Sequence, residues 1–253
     1  MSTMSIGRGM FDSYSHIASG KRINSAADDA AGLAIAKKMQ REETGLRVGA
    51  ENAQMAMGAL NVADGALEGV TDYLQRIRDL AVRSMNGLNS PSDKAIYQKE
   101  IDQLKSGIES LAEGTSFNEQ KLLDGSMADL DLVTNPSGSS RRIQMANSTL
   151  EALGIADLDV TSGDFSLDAI DKALDMVSSQ RSSIGASTNG LEYTYNYNTS
   201  ASLQQLKSRS GLEDLDLPRA VSEKQKNELL FQYQTAMLRK KMEEEEKVSK
   251  MLF

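Results

Sequence analysis

The chain of 253 residues contains no cysteine and no tryptophan, and it has only one histidine and three prolines. Without cysteine it can form neither a disulfide framework nor a thiolate metal site. A single histidine excludes a His-based catalytic triad and the two-histidine zinc site of metalloproteases. Aromatic residues make up 5% of the chain, which is sparse for a globular core and ordinary for long helices. These gaps argue against an enzyme and against a bound cofactor or metal.

Long apolar runs and an excess of positive charge are also missing. No apolar run reaches the roughly 20 residues that a membrane-spanning helix needs, and residues 1–20 lack the continuous apolar core of a secretory signal peptide. The formal net charge is −8, whereas general nucleic-acid binding requires a basic face. We therefore expect no membrane insertion and no nucleic-acid partner, and any export should proceed without a cleavable signal peptide.

A heptad repeat of apolar residues runs through residues 25–86 and predicts one long helix. Its first row is Met39, Leu46, Ala53, Leu60, Leu67, Leu74 and Ala81, and its second is Ile35, Gly49, Ala56, Ala63, Val70 and Ile77. Such a seam packs against other helices, and no proline interrupts it. Ser25 and Asp28 predict a capping box at its start, and Asn86-Gly87 marks its end. The small residues Gly49, Ala56 and Ala63 on the seam predict the close approach of a neighbouring backbone.

Other helical patterns precede and follow this helix. Residues 1–20 predict a weakly amphipathic helix that Gly20 stops. Ser90-Pro91-Ser92-Asp93 begins a second helix that ends at Gly114, with the stripe Tyr97, Ile101, Leu104, Ile108 and Leu111. A third heptad pattern starts at Ser166 and is expected to break at Gly211, and a last helix starts at about Pro218. Turn signals and weak apolar alternation between residues 117 and 160 predict one or two β-hairpins.

These elements predict a mainly α fold. We expect an elongated antiparallel rod or coiled coil of long helices, with the N- and C-terminal helices side by side and a small β-hairpin region in the middle. Short loops favour antiparallel neighbours, so the second helix should fold back along the first. Residues 1–24 and 212–253 are expected to form terminal coiled-coil segments. Residues 25–211 are expected to form a helical rod domain whose β region covers about 117–163.

Several sequence motifs resemble those of bacterial flagellins. The first is Arg22-Ile23-Asn24-Ser25-Ala26-Ala27-Asp28-Asp29-Ala30-Ala31-Gly32, and the second runs from Leu74 to Val82. Phe117-Asn118 follows, and the C-terminal half is similar at Asn189, Leu191-Glu192, 213–216 and 236–238. The resemblance covers most of the chain outside residues 126–163. It is that of a short flagellin without the variable outer domains.

The resemblance implies a structural subunit that polymerises into the extracellular filament of the bacterial flagellum and serves motility, with the terminal segments in the inner filament core. The implied partners are other copies of the chain, the flagellar export apparatus, a flagellin chaperone, and the hook-associated junction and cap proteins. Two other functions stay open. One is a hook–filament junction protein, which shares the end motifs. The other is a secreted receptor ligand that does not polymerise.

A receptor-binding surface is also implied by the resemblance. In many flagellins a Toll-like innate immune receptor contacts the residues that match Arg76, Leu80 and Glu100, and all three identities are kept here. Arg76 can form bidentate hydrogen bonds while Leu80 fills a pocket, a pairing typical of binding hot spots. Without the resemblance, this basic stretch would be a solvated helix face on which Asp79 and Arg83 form an i,i+4 pair.

The chain departs from the flagellin pattern at its ends and joints. It begins later in the N-terminal pattern than flagellins do. Gly190 and Gly211 stand where the family usually has arginine, and Glu243 to Glu246 stand near the C-terminus where the family has Asn, Gln and Pro. We expect these changes to affect assembly more than the fold.

Overall fold

A computed structural model of the chain describes residues 13–162 and 165–252; beyond residue 247 we describe only the helix. The helices are α1 (Ala26–Ser84), α2 (Pro91–Gly114), the single turn α3 (Leu150–Leu153), α4 (Leu167–Glu213) and α5 (Leu217–Leu252). Residues 13–19 are helical as well, whereas the rest of the predicted N-terminal helix, residues 1–12, lies outside the described residues. The mainly α class predicted from the sequence is confirmed.

Two antiparallel hairpins lie between α2 and α4, as the turn signals predicted. β1 (Ser116–Phe117) pairs with β2 (Gln120–Lys121), and β3 (Asp129–Val133) pairs with β4 (Ser140–Gln144). The turn of the first hairpin holds Asn118 and Glu119 at φ angles of 49° and 66°. Positive φ at both central residues is the type I′ geometry, which matches the twist of a hairpin. Strands end at residue 144, so the β region is shorter than predicted, and α3 and turns occupy the described residues that follow.

The N-terminus of α1 is capped differently from the prediction. Asp28 accepts hydrogen bonds from the backbone N–H groups of Asn24 (3.0 Å) and Ser25 (2.8 Å), but the Ser25 hydroxyl donates to the same carboxylate and does not cap the helix. Asp29 then leaves the helical conformation (φ −161°, ψ 95°), and its carboxylate accepts the Gly32 N–H at 2.8 Å. This is an N-cap bond. The uninterrupted part of α1 therefore starts after Asp29, and the predicted capping box is half formed.

The heptad seam of α1 forms the core of the unit Thr44–Ala201. This is one of two compact units, and the other, the terminal unit, combines the segments up to Glu43 and from Ser202. The buried cluster contains Leu60, Leu67, Leu74 and Ile77 of α1, Ile101 and Ile108 of α2, and Ile170, Val177, Ile184 and Leu191 of α4. Each such side chain stabilises the fold by about 1.5–3 kcal/mol through burial. Packing therefore offsets the low helix propensity of the glycines in α1, and the predicted seam from residue 46 to residue 81 is confirmed.

At its N-terminal end the predicted seam is wrong. Ile35 is 51% exposed and Met39 is half-buried, whereas Ile23 and Ala36 are buried. A strict seven-residue row drifts by about 20° per heptad on a straight helix. The same drift leaves the row buried from Leu46 to Ala81, so drift alone does not explain the change. Residues up to Glu43 belong to the terminal unit, and in that part of α1 Ala36 rather than Ile35 is buried.

In the terminal unit the N-terminal and C-terminal segments lie side by side, as predicted. The backbone N–H of Arg22 donates to the Glu213 carbonyl at 2.6 Å, and the N–H of Leu215 donates to the Gly20 carbonyl at 3.0 Å. Lys21 Nζ also lies 3.4 Å from the Glu213 carboxylate. These contacts join the segment before α1 to the segment after α4.

The end of α4 differs from the prediction. The helix passes through Gly211 and ends at Glu213, so the predicted break at Gly211 is wrong. A helical glycine costs about 1 kcal/mol relative to alanine and does not by itself stop a helix. The next helix begins where the Asp216 carboxylate accepts the Arg219 N–H at 3.3 Å, which caps α5 close to the predicted start at Pro218.

Acid is expected to destabilise the fold through its helix caps. The Ser90 hydroxyl and backbone N–H lower the pKa of Asp93, which forms a capping box with Ser90 at α2. A carboxylate with a lowered pKa stabilises the folded state above the unfolded-state pKa of about 3.9, and this stabilisation is lost as the pH falls through the folded-state pKa. The melting temperature should therefore fall as the pH drops from about 5 to 3. Asp93→Asn should reduce that slope, because asparagine does not titrate. Equal slopes in both proteins would contradict the prediction.

Candidate functional site

Arg76 of α1 and Glu100 of α2 form an ion pair between the two helices. The guanidinium Nε and Nη2 atoms both donate to Glu100 Oε1, at 2.9 and 2.6 Å. The two side chains are 46% and 40% exposed. A pair of this exposure contributes at most about 1 kcal/mol to the fold. Its polar atoms are accessible to a binding partner.

Leu80, the third residue predicted for this surface, lies in the core. It follows Arg76 by one helical turn on α1, and its side chain is 2% exposed within the buried cluster. The structure therefore brings Arg76 and Glu100 together but does not place Leu80 beside them on the surface. Leu80 can hold α1 in position, and it cannot fill a pocket of a partner without leaving the core. The receptor-binding role of the three residues stays a prediction.

The other basic residues of this stretch differ in their contacts. Arg78 Nε donates to Asp171 Oδ1 of α4 at 2.7 Å, and this hydrogen bond raises the pKa of Arg78. Arg83 is exposed, and within residues 13–162 and 165–247 it forms no ion pair, so the expected Asp79–Arg83 pair is absent there. Arg76 and Arg78 thus connect α1 to α2 and to α4, whereas the guanidinium of Arg83 is available to a binding partner.

A polar cleft between α1 and α4 was not predicted. Arg181 Nε donates to Asp64 Oδ1 at 2.9 Å, and Arg181 Nη2 lies 3.7 Å from Glu68. The hydrogen bond to Asp64 raises the pKa of Arg181. The carboxylates at 64, 68 and 72 recur every four residues and so share one helix face, which signals a basic partner. The sequence does not show which arginine that partner is, because Arg181 is distant along the chain.

The helix α5 exposes apolar side chains along much of its described length. Leu229, Tyr233, Met237 and Met242 are 67%, 65%, 51% and 68% exposed, and Leu230 and Leu238 are 44% and 45% exposed. We call these six residues the α5 strip. Positions 229, 233 and 237 lie at four-residue intervals and therefore on one face of the helix. Contiguous exposed apolar surface of this kind marks an interaction site. The acidic run 243–246 follows the strip and is exposed.

His16, the one histidine of the chain, holds the segment before α1. Its Nδ1 lies 3.0 Å from the Lys21 carbonyl oxygen, and its Nε2 lies 3.9 Å from an Asp28 carboxylate oxygen. Asn24 Nδ2 lies 3.2 Å from the same Nδ1 atom, so the contacts of His16 tie the helical residues 13–19 to the segment before α1 and to the start of α1. Among the described side chains no group of three or more His, Asp or Glu residues could hold a metal ion. None of the helices in the described ranges is long and apolar enough to cross a membrane.

Two family models match most of the chain. The model of the bacterial flagellin N-terminal helical region matches residues 2–128. The model of the bacterial flagellin C-terminal helical region matches residues 167–248. The two matches thus include α1 and α2 at one end and α4 with most of α5 at the other.

Individual proteins are similar over comparable lengths. A flagellin of Halalkalibacterium halodurans is 39% identical over 230 residues, which cover 88% of this chain and 84% of that protein. A crystal structure of Bacillus cereus flagellin is 26% identical with a TM-score of 0.53, over 58% of this chain and 88% of that chain. A structure described as a flagellar hook-associated protein of Vibrio parahaemolyticus has a TM-score of 0.61 over 74% of this chain and 100% of that chain. Its identity of 18% shows a shared fold alone.

The family matches agree with the chemistry of the described residues. Flagellins are structural proteins and not enzymes, which confirms the prediction that the chain is not an enzyme. The long α1 seam, the paired terminal segments and the short hairpins are found within the matched regions or between them. The chain belongs to the bacterial flagellin family.

Proposed function

We propose that the chain is a structural subunit of the bacterial flagellar filament, which is extracellular, and that this filament serves motility. The observation that carries the proposal is the α5 strip, whose large apolar side chains are exposed in the single chain. Burial of such a side chain contributes about 1.5–3 kcal/mol. Association of copies through α5 therefore supplies a driving force that the single chain does not use.

The same exposure supports the other flagellar partners that the family resemblance implies. An apolar strip that is open before assembly is also an aggregation liability. A flagellin chaperone that covers α5 until the flagellar export apparatus takes the chain would prevent premature association. The hook-associated junction and cap proteins would contact the chain at the two ends of the filament.

Growth on preformed filament fragments tests the proposed function. The purified full chain should extend such seeds, measured by electron microscopy of seed length. A Leu229→Ser, Tyr233→Ser double variant should extend them at least about tenfold more slowly, because two apolar contacts are lost. Its circular dichroism should be unchanged, since both side chains are exposed. Tyr193→Ser is the matched control, because Tyr193 is 77% exposed on α4.

Three outcomes separate the possible functions. Growth of the double variant at the wild-type rate would contradict the role of the α5 strip. A wild-type chain that binds seed ends without extending them would be a junction protein. A wild-type chain that neither binds nor extends seeds would contradict the filament function and leave the secreted receptor ligand as the better description.

A Toll-like innate immune receptor is the second partner that we propose, in contact with Arg76 and Glu100 of the monomer. The half-exposed guanidinium of Arg76 supports this proposal, since arginine is enriched at binding hot spots. Leu80 supports the surface from inside the core and does not act as an anchor.

Substitutions at these residues should separate binding from folding. Arg76→Ala should weaken binding to the purified receptor ectodomain by about tenfold or more, and it should change the free energy of unfolding by less than about 1 kcal/mol. Leu80→Ala should cost about 2–5 kcal/mol of stability and leave the affinity of the folded chain nearly unchanged. Binding that is insensitive to Arg76→Ala would contradict the proposed surface.

A further inference from the structure

Leu88 projects from the turn between α1 and α2. It is 93% exposed, more than any other large apolar side chain that the structure describes. The turn is held by side-chain hydrogen bonds: the Leu88 N–H donates to Asn86 Oδ1 at 3.1 Å, and Asn89 Nδ2 donates to the Arg83 carbonyl at 2.6 Å. These bonds fix the backbone that carries Leu88, so a partner that binds the side chain does not have to order the turn, which favours a specific contact.

An apolar groove opens in the same unit, between α1 and the two hairpins. Its apolar lining includes Met55, Ala56 and Ala59 of α1 and Phe117, Leu130 and Leu132 of the hairpins, polar side chains complete it, and its volume is about 120 Å³. We call it the Phe117 groove. For comparison, an apolar cavity of about 150 Å³ binds benzene. The groove therefore has the size and the lining to hold one leucine side chain.

Leu88 cannot reach the Phe117 groove of its own chain. Met55 lies far up α1 from the end of that helix at Ser84, and the intervening helix is roughly 40 Å long at 1.5 Å per residue. A second copy that lies beside the first and is displaced by about this distance towards the N-terminal end of α1 can reach the groove with its Leu88. Leu88 can thus meet the Phe117 groove of another copy, but not the groove of its own chain.

The charges around the two surfaces are complementary as well. Arg83 and Lys94 lie near Leu88 in the chain and form no ion pair within the described residues, whereas the neighbouring Asp93 is engaged by Ser90. Glu119, which lies between two residues of the groove region, likewise forms no ion pair there. Of the other charges near the rim, Arg47 pairs with Glu51 at 2.8 Å and Arg142 with Asp131 at 3.3 Å, whereas Lys121 Nζ donates to the Glu113 backbone carbonyl. A copy that inserts Leu88 therefore brings available cations towards an available carboxylate, which favours this orientation of docking.

We propose that Leu88 of one copy inserts into the Phe117 groove of the next copy, a contact that rests on the proposed filament function and names one of its subunit surfaces. The contact joins two different surfaces of the same chain. When such a heterologous contact is repeated without closing into a ring, it produces a filament. One leucine does not make an interface of the roughly 1,000 Å² that stable association needs, so the contact sets the axial register of a larger interface.

The absence of cysteine from the chain allows a direct cross-linking test. Two variants are prepared, Leu88→Cys and Met55→Cys, and one of them carries a mass tag. Both are mixed with wild-type chain, the mixture is grown on seeds, and the filaments are oxidised. A disulfide requires Cα atoms within about 7 Å. We expect a covalent dimer of one tagged and one untagged chain. A mixture of Leu88→Cys with Tyr193→Cys chains is the control and should give no such dimer.

Charge exchange provides a second, independent readout. Arg83→Glu should slow seeded growth about threefold or more, and adding Glu119→Lys in the same chain should restore the rate. Leu88→Ser should raise the lowest chain concentration that supports growth by about tenfold, since a leucine contact is lost, while the melting temperature stays unchanged. Normal growth of Leu88→Ser chains, or filaments of the cysteine variants that give no mixed dimer, would overturn the contact and leave the filament function intact. A wild-type chain that does not extend seeds would overturn both.

Discussion

Gly49→Ala is expected to lower the free energy of unfolding by about 2–4 kcal/mol, although alanine is the better helix former. A Cβ at position 49 would collide with the Thr134 carbonyl oxygen and lie 2.7 Å from its carbon and 2.9 Å from Asn198 Nδ2. Backbone cannot move aside as a flexible side chain can. Overpacking of this kind typically costs about 1–3 kcal/mol.

A hydrogen bond at the same junction adds to the cost. Asn198 of α4 is 2% exposed, and its Nδ2 donates to the Thr134 carbonyl at 2.6 Å. Moving Thr134 away from α1 breaks that bond and leaves a buried amide unpaired, which costs about 1–3 kcal/mol. The gain in helix propensity from glycine to alanine is only about 1 kcal/mol, so the destabilising effects win.

Gly65→Ala is the matched control on the same helix. A Cβ at position 65 meets no atom within 4 Å, so only the propensity changes and the variant should be more stable than the wild type by about 0.5–1 kcal/mol. Urea unfolding followed by circular dichroism measures both variants. A shift of the same sign in the two proteins would show that the approach of Thr134 to α1 does not constrain position 49.

The part of the fold that the sequence predicts best is the helical seam from Leu46 to Ala81. Period and residue type both identify these positions, and they are buried because α2 and α4 cover this face. The pattern shows which side chains share a face but not how many helices cover it. Leu80 lies outside the strict seven-residue rows and is nevertheless buried, since two covering helices require a wider apolar stripe than a coiled-coil seam does.

Helix ends were predicted less well because several residues compete for the same role. Asp28 and Asp29 are both good capping residues, and the structure uses Asp29 for the main part of α1. A Cβ at Gly32 would lie 2.8 Å from the Asp29 carboxylate carbon and from Ile23 Cδ1. The close packing of Ile23 and Asp29 against Gly32 thus favours Asp29 as the cap. The local sequence gives no signal for this tertiary contact.

The candidate surfaces depend on contacts between distant residues, which periodicity does not reveal. Glu100 lies on a different helix from Arg76, and only the fold brings the two together. The Phe117 groove likewise combines residues of α1 with both hairpins. Sequence patterns indicate that Leu88 sits in a turn, but they do not show that its side chain is held out in water.

Leu60→Asp is expected to be the most damaging single change discussed for this chain, with a loss of at least about 4–5 kcal/mol. Leu60 is fully buried at the centre of the α1 seam. Removing a buried leucine side chain alone costs about 2–5 kcal/mol. The aspartate also brings a carboxylate into the core without a partner, so it must either become protonated or draw water in, and both are costly.

Two controls distinguish buried charge from other effects of the substitution. Val62→Asp introduces the same residue two positions along α1, where the wild-type side chain is 43% exposed, and should cost less than about 1 kcal/mol. Leu60→Met keeps an apolar side chain of similar volume and should cost less than about 1.5 kcal/mol. Leu60→Asp should therefore lower the melting temperature, measured by circular dichroism, far more than either Leu60→Met or Val62→Asp does. If Val62→Asp and Leu60→Asp lower the melting temperature equally, the buried face of α1 does not stabilise the unit Thr44–Ala201, because the cost of the charge would then be independent of the side on which it lies.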